Sequence, residues 1–292
     1  MRILVTGGSG YLGSAVVPLL RARGHEVVTI GRHPGIDAAV CDLTDGEAVC
    51  RAVRAVGDCD AVVHLAARAH EFRGLKLDDL LLANTITTRN LVDALRAEGR
   101  TPAVRFVHAS SVAVYELLDQ TLGLTAEQVP YAASKLQAEQ LLQAEPFQSL
   151  FVLRFAPIYD HAHLQDVAKR VFLPGTRLKL RLYPPPMHSL CAIDRAVQAI
   201  VDSVESVPAS GVHIGDIADS RPTSQHELAS LFPGVAIPVP TVVLTSFASG
   251  IGLCGRRGRT AARFVRRFAV STVYPLARPA VPCNERHTRR SL

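Results

Sequence analysis

The chain is poor in what would anchor it in a membrane or staple it outside the cell. No apolar run reaches the roughly 18 to 20 residues a spanning helix needs, because charges such as Arg21, Arg23 and Glu26 interrupt each one. No membrane span is expected. Met1-Arg2 passes at once into the strand-like Ile3-Leu4-Val5, without the basic start, apolar stretch and small-residue cleavage site of a secretory leader, so the expected address is cytoplasmic. The six cysteines (Cys41, Cys50, Cys59, Cys191, Cys254, Cys283) include no Cys-x-x-Cys pair. A chain of this length needs no disulfide framework, and they read as mostly buried thiols. The eleven histidines are scattered, and His161 and His163 with Asp160 resemble a metal site only in composition, so no metal is expected. Internal repeats and low-complexity linkers are also missing. With 48% hydrophobic and 20% charged residues, disordered, collagen-like and coiled-coil readings fail, and one sizeable core or two unequal ones can form.

The net charge of +6 suggests nucleic acid until it is divided along the sequence. Residues 251–292 hold ten Arg against Glu285 alone, which gives +9 and leaves −3 for the rest. Basicity belongs to the C-terminal stretch, so no nucleic-acid partner is expected. Arg256, Arg259, Arg263, Arg266 and Arg267 are spaced to form a basic helical face, which reads as a solvated terminal face, the alternative being an anionic surface.

Residues 1–156 alternate short β-branched runs with longer amphipathic ones. The runs Ile3–Thr6, Val27–Ile30, Ala38–Cys41, Ala61–Leu65, Val104–Ala109 and Leu150–Phe155 read as strands buried on both faces. Leu12–Arg23, Asp45–Val56, Asp78–Ala97 and Pro130–Ala144 read as helices, the second opened by the capping pattern Thr44-Asp45-Gly46-Glu47. Pro18 predicts a bend in the first. Such alternation specifies an α/β fold with a doubly wound parallel sheet of Rossmann type, its ligands at the carboxyl ends of the strands. From Pro157 to about 275, frequent prolines break the pattern, which predicts a smaller, irregular substrate lobe that can interleave with the first domain. Residues 276–292 read as a basic tail.

Thr6-Gly7-Gly8-Ser9-Gly10-Tyr11-Leu12-Gly13 directly follows the first strand and opens the first helix. Gly7 and Gly10 permit a sharp turn and close approach to a pyrophosphate, and Gly13 permits close helix–sheet packing, with the phosphates on the helix N-terminus. Out of context this is an ordinary glycine-rich turn; after a strand and before a helix it predicts dinucleotide binding. At the end of the second strand, where an NAD reader offers a carboxylate to the ribose, Ile30-Gly31-Arg32-His33 has no acid. Arg32 suits a 2′-phosphate through its planar fork, so NADP is preferred over NAD, an exposed loop Arg being the alternative. Asp42-Leu43, after the third strand, is placed to meet the adenine, or Asp42 is a helix cap.

Tyr131-Ala132-Ala133-Ser134-Lys135 puts a phenol and an ammonium on one helical face. A free phenol titrates near pH ~10, and a nearby cation favours the phenolate, so the pair suits proton exchange with a substrate hydroxyl. Ser110-Ser111 ends the fifth strand, from which a hydroxyl would converge on the same pocket.

These residues, with His64-Leu65-Ala66-Ala67 and Ser110-Ser111-Val112-Ala113-Val114-Tyr115, resemble the successive motifs of the extended short-chain dehydrogenase/reductases. They are most similar to the NAD-dependent epimerase/dehydratase group acting on nucleotide sugars, over about residues 1–230. The resemblance implies a Ser111-Tyr131-Lys135 site, with Tyr131 as acid/base, Ser111 orienting the substrate and Lys135 holding the nicotinamide ribose. It implies Asn84 beside the active site, Leu65, Ala66 and Ala67 along the cofactor, and Phe155-Ala156-Pro157 against the nicotinamide. Arg68-Ala69-His70 and Ser189–Asp194 look like stretches of the 4-epimerases and 4-ketoreductases. A homodimer through a four-helix interface of Asp78–Ala97 and Pro130–Ala144 is implied too. The short segment between Tyr115 and Tyr131 and the brief loop after Arg68 imply a smaller substrate. The competing reading is a dinucleotide-binding regulatory or scaffold protein with a relic site.

Overall fold

The structure, a computed structural model, describes residues 1–68, 76–173, 176–206, 210–252, 258, 262, 265 and 268–274. Ala69 and His70, Cys254 and Cys283, the Arg256–Arg267 face and the tail from 276 lie outside the described residues.

The chain divides into two compact units, one containing Met1–Phe155 and Ala196–Ile217, the other Ala156–Arg195 and Ala218–Leu276. In the first, β1 (Arg2–Thr6), α1 (Gly13–Ala22), β2 (Glu26–Gly31), β3 (Ala39–Val40), α2 (Gly46–Val56) and β4 (Ala61–His64) follow one another. After Leu77–Leu80 and a π-helical turn at Leu81–Ile86 come α3 (Thr87–Ala97), β5 (Arg105–Ser111), α4 (Pro130–Gln143) and β6 (Ser149–Phe155). Then α5 (Ile193–Glu205) leads to β7 (Gly211–Ile217), which completes a seven-stranded sheet in the order β7-β6-β5-β4-β1-β2-β3. Every pairing in it is parallel. This is a Rossmann-type α/β fold, whose strand order reverses at β1 and β4.

The central strands earn their place by being apolar on both faces, as parallel strands under helices must be. Leu4, Ile30, Val62, Phe106 and Val152 from the sheet pack with Val49, Leu91, Leu95 and Leu142 from the helices in one buried cluster. At the rim the expectation of strands buried on both faces fails. β3 is two residues long with Val40 exposed, because an edge strand has only one neighbour to cover it. The capping pattern is one residue out of step: Asp45, not Thr44, is the N-cap of α2, accepting the Ala48 N–H at 3.0 Å. α1 runs through Pro18. The helix expected over Asp78–Ala97 runs without interruption from Leu77 to Ala97, with a π-helical turn at Leu81–Ile86 around Asn84 inside it.

The second unit holds short two-stranded pairings and two small cores, Val167, Val171, Leu190, Leu228 and Ala229 in one and Leu180, Leu182, Phe268 and Ala269 in the other. Of the four described cysteines, none is in a disulfide; Cys41 and Cys191 are buried, whereas Cys50 and Cys59 are only half-buried.

Candidate functional site

The glycine loop joins β1 to α1 at the carboxyl end of the sheet. Gly7 has φ +73°, and a Cβ there would meet the Ala66 nitrogen at 2.6 Å, so the loop lies flat on the backbone leaving β4. That backbone is fixed in turn, since the Leu65 N–H donates to the Thr6 carbonyl at 3.1 Å. Gly13 lets α1 approach the chain leaving β1: a Cβ there would run into the Gly7 carbonyl oxygen and lie 2.7 Å from the Gly8 Cα. Gly10 is exposed, its N–H donates to the Gly7 carbonyl at 3.0 Å, and that oxygen is the only atom near where its Cβ would be. A tight backbone turn with an open outer face, capped by Tyr11 and Leu12 at the start of α1, fits a pyrophosphate on a helix N-terminus. Leu65 and Ala66 are half-buried beside it and Ala67 is exposed.

At the carboxyl end of β2, next to β1, Arg32 is exposed. Asp42 forms an Asx turn, its Oδ1 accepting the Thr44 N–H and hydroxyl at 2.9 Å each. These bonds hold its carboxyl below the usual range, with a smaller contribution from the Arg32 charge. The Leu43 side chain belongs to the core cluster, and its carbonyl accepts from Asn90 Nδ2.

The reacting end is built on β5 and α4. Ser111 closes β5, and its Oγ accepts the Ala113 N–H at 3.2 Å. Pro130 opens α4, where a missing N–H costs nothing, which puts the half-buried Tyr131 in the first turn and Lys135 one turn on. Lys135 is buried, and its ammonium donates to the Ala109 carbonyl of β5 at 2.8 Å. Burial lowers its pKa to about 8, against the opposing pull of Glu139. A buried cation one helical turn from a phenol can hold a ribose hydroxyl and favour the phenolate. Pro157 lies in the second unit, where its carbonyl accepts the Cys191 N–H at 3.0 Å.

Asn84 is buried and works through Ser134. Its Nδ2 donates to Ser134 Oγ at 2.9 Å and to the Arg68 carbonyl at 3.2 Å, while its Oδ1 accepts the Arg68 N–H at 2.7 Å. Ser134 Oγ donates onward to the Tyr131 carbonyl at 2.9 Å, and Thr85 Oγ1 to the Ser134 carbonyl at 3.0 Å. One amide thus ties the loop after β4 to the stretch of α4 between phenol and ammonium. π-Helical turns recur at functional sites because the extra residue turns a side chain out of helical register.

Three features escaped the sequence reading. Glu139, fully buried one turn beyond Lys135, pairs with Arg154 of β6 at 2.7 Å and accepts from Ser110 Oγ. Continuing the Tyr131-Lys135 spacing by four would have found it. Arg154 also donates to the Tyr115 hydroxyl, which itself donates to Asp216 of β7. Beneath the site His64 lies between Thr6 and Thr88 hydroxyls at 2.6 and 2.9 Å, stacked on His108, and burial lowers its pKa to about 3. No local spacing signals that layer.

Comparison with known proteins bears on the family and the fold. The model of the NAD dependent epimerase/dehydratase family matches residues 3–168. A 2-alkyl-3-oxoalkanoate reductase of Stenotrophomonas maltophilia is 36% identical over 173 residues, 54% of this chain and 50% of that protein. A dTDP-glucose 4,6-dehydratase of Neisseria meningitidis is 31% identical over 175 residues, 49% of this chain and 48% of that one. The chain therefore spans about half the length of these relatives. A short-chain dehydrogenase/reductase superfamily protein from Agrobacterium tumefaciens, solved with bound NAD, shares the fold with a TM-score of 0.66 at 24% identity, over 82% of this chain and 86% of that one. With the glycine loop, the parallel sheet and more than half the sequence accounted for, the chain belongs to the NAD dependent epimerase/dehydratase family.

Proposed function

We propose that the protein is a cytoplasmic NAD(P)-dependent oxidoreductase, epimerase or dehydratase acting on a nucleotide-linked sugar through Ser111, Tyr131 and Lys135. The observation that carries the reading is the buried Lys135 ammonium, held on the Ala109 carbonyl one helical turn from Tyr131. A lysine is kept out of water at this cost where its charge has a use. The glycine loop would hold the pyrophosphate, and Leu65, Ala66 and Ala67 would line the cofactor. A nicotinamide, when bound, supplies the hydride acceptor or donor.

In this reading the Tyr131 hydroxyl takes or returns the proton of the substrate oxygen, and the Lys135 charge lowers the cost of the phenolate. Ser111 Oγ, at the end of β5, orients that oxygen. Asn84 acts through Ser134 by holding the first turns of α4 in place. Two of the matched relatives are named for an oxoalkanoate and for dTDP-glucose, so the substrate screen spans both. We also infer a homodimer, its four-helix interface built from the helices of Leu77–Ala97 and α4.

The test pairs titration with NADH and NADPH with turnover assays on UDP- and dTDP-hexoses and a 2-alkyl-3-oxoalkanoate. Tyr131→Phe should leave dinucleotide affinity within about twofold and lower turnover by about 10² to 10⁴-fold. Unchanged turnover would reject the assignment, and dinucleotide binding by the native protein without turnover of any substrate would favour the regulatory reading.

A further inference from the structure

The end of β2 lacks an acid in sequence but not in space. The loop after β2 doubles back on its own strand: the Asp37 N–H donates to the His33 carbonyl at 2.9 Å, and the Ala38 N–H to the Thr29 carbonyl at 2.9 Å. Thr29 Oγ1 donates to the Ile36 carbonyl at 2.9 Å and fastens the tip. This fold brings the Asp37 carboxylate over Gly31. A Cβ on Gly31 would lie 2.5 Å from Asp37 Oδ2 and 3.0 Å from its Cγ, so the carboxylate fills the volume that a side chain at the last residue of β2 would occupy. Oδ2 accepts the His33 N–H at 2.9 Å. Oδ1 is buried and has no hydrogen-bond partner among the described residues. The residue as a whole is 7% exposed.

We propose that Asp37 replaces the missing strand-end acid and makes the adenosine end of the site select NAD over NADP. The proposal rests on the dinucleotide reading given above and revises the NADP preference that Arg32 suggested from sequence. Two arguments carry it. An acceptor held out of water without a donor is a cost that a ribose 2′-hydroxyl, a donor, would remove. A 2′-phosphate offers no donor at neutral pH and would bring its negative charge against the carboxylate. Arg32, the candidate partner for a phosphate, is exposed on the solvent side, and the carboxyl its charge steadies is Asp42. Gly31 is then explained as the residue that clears room for a carboxylate delivered from six positions downstream.

The experiment measures equilibrium binding of NADH and NADPH to the full chain by nucleotide fluorescence, with thermal melting as a check on folding. The native protein should bind NADH at least tenfold more tightly than NADPH. Asp37→Asn, which keeps an acceptor for the His33 N–H but removes the charge, should shrink the ratio about tenfold. The double variant Gly31→Asp with Asp37→Ala moves the carboxylate onto the strand and should restore the preference. Arg32→Ala should leave NADH affinity within twofold. Tighter binding of NADPH by the native protein overturns the proposal, as does a ratio unmoved in a folded Asp37→Asn variant, which would leave Asp37 as a loop fastener. Binding of neither nucleotide overturns the dinucleotide reading itself, and the proposal with it.

Discussion

Lys135 puts stability and function in opposition, and the size of the conflict can be worked out. Burial takes its pKa from 10.5 to about 8, and a fall of that size corresponds to about 3 kcal/mol. The folded state binds this proton less tightly than the unfolded state does. Keeping the ammonium charged therefore destabilises the fold in full below pH 8, and the penalty fades between pH 8 and 10.5. The bond to the Ala109 carbonyl returns roughly 1.5 to 3 kcal/mol. Lys135→Met keeps the apolar stem and discards both effects, so its stability at pH 7 should lie within about 1 kcal/mol of the native protein while turnover collapses. Between pH 7 and 10 the native protein should gain about 2 kcal/mol relative to the variant. Urea unfolding of both proteins at the two pH values measures this. A variant more than about 3 kcal/mol weaker at pH 7, with a gap that ignores pH, would show that the ammonium is a net stabiliser and would refute the reasoning.

Two further substitutions probe the supports of the site. Glu139→Ala strips the carboxylate from the half-buried Arg154 guanidinium and the acceptor from Ser110. It should cost about 3 to 5 kcal/mol in urea unfolding, and a loss below about 1 kcal/mol would contradict the pairing. Since Glu139 opposes the fall in the Lys135 pKa, a folded Glu139→Gln variant should titrate Lys135 below pH 8, visible as an acid-shifted alkaline limb of the pH–rate profile. Gly13→Ala would set a Cβ against the Gly8 Cα at 2.7 Å. The distorted loop should bind dinucleotide roughly tenfold or more weakly, and calorimetry showing native affinity would remove the loop from the phosphate site.

What the sequence disclosed follows from what its patterns encode. Apolar runs mark the strands of a parallel sheet to within a residue or two because burial on both faces leaves little choice of residue, as at Ile3–Thr6 and Ala61–Leu65. The same logic fails at Ala38–Cys41, where β3 at the rim has only one neighbour. The helix over Asp78–Ala97 was legible because Leu80, Leu91 and Leu95 keep their spacing toward the core. The π-helical turn at Leu81–Ile86 depends on contacts of Asn84 with Arg68 and Ser134, which lie far away in sequence. Spacing on α4 exposed Tyr131 and Lys135 and would have exposed Glu139 at the next turn. Asp37 could not be found in this way, since its place over Gly31 is set by a loop closing on itself.

The interrupted first unit has a consequence for synthesis. Its seventh strand is written about 60 residues after its sixth, at β7 (Gly211–Ile217) against β6 (Ser149–Phe155). At about 5 to 20 residues per second, β6 waits several seconds on the ribosome as an open edge. Its backbone donors and acceptors, flanked by Leu150, Phe151 and Val152, stay available to any passing strand until β7 arrives. The nascent chain, rather than the finished protein, is where aggregation and chaperone dependence should concentrate.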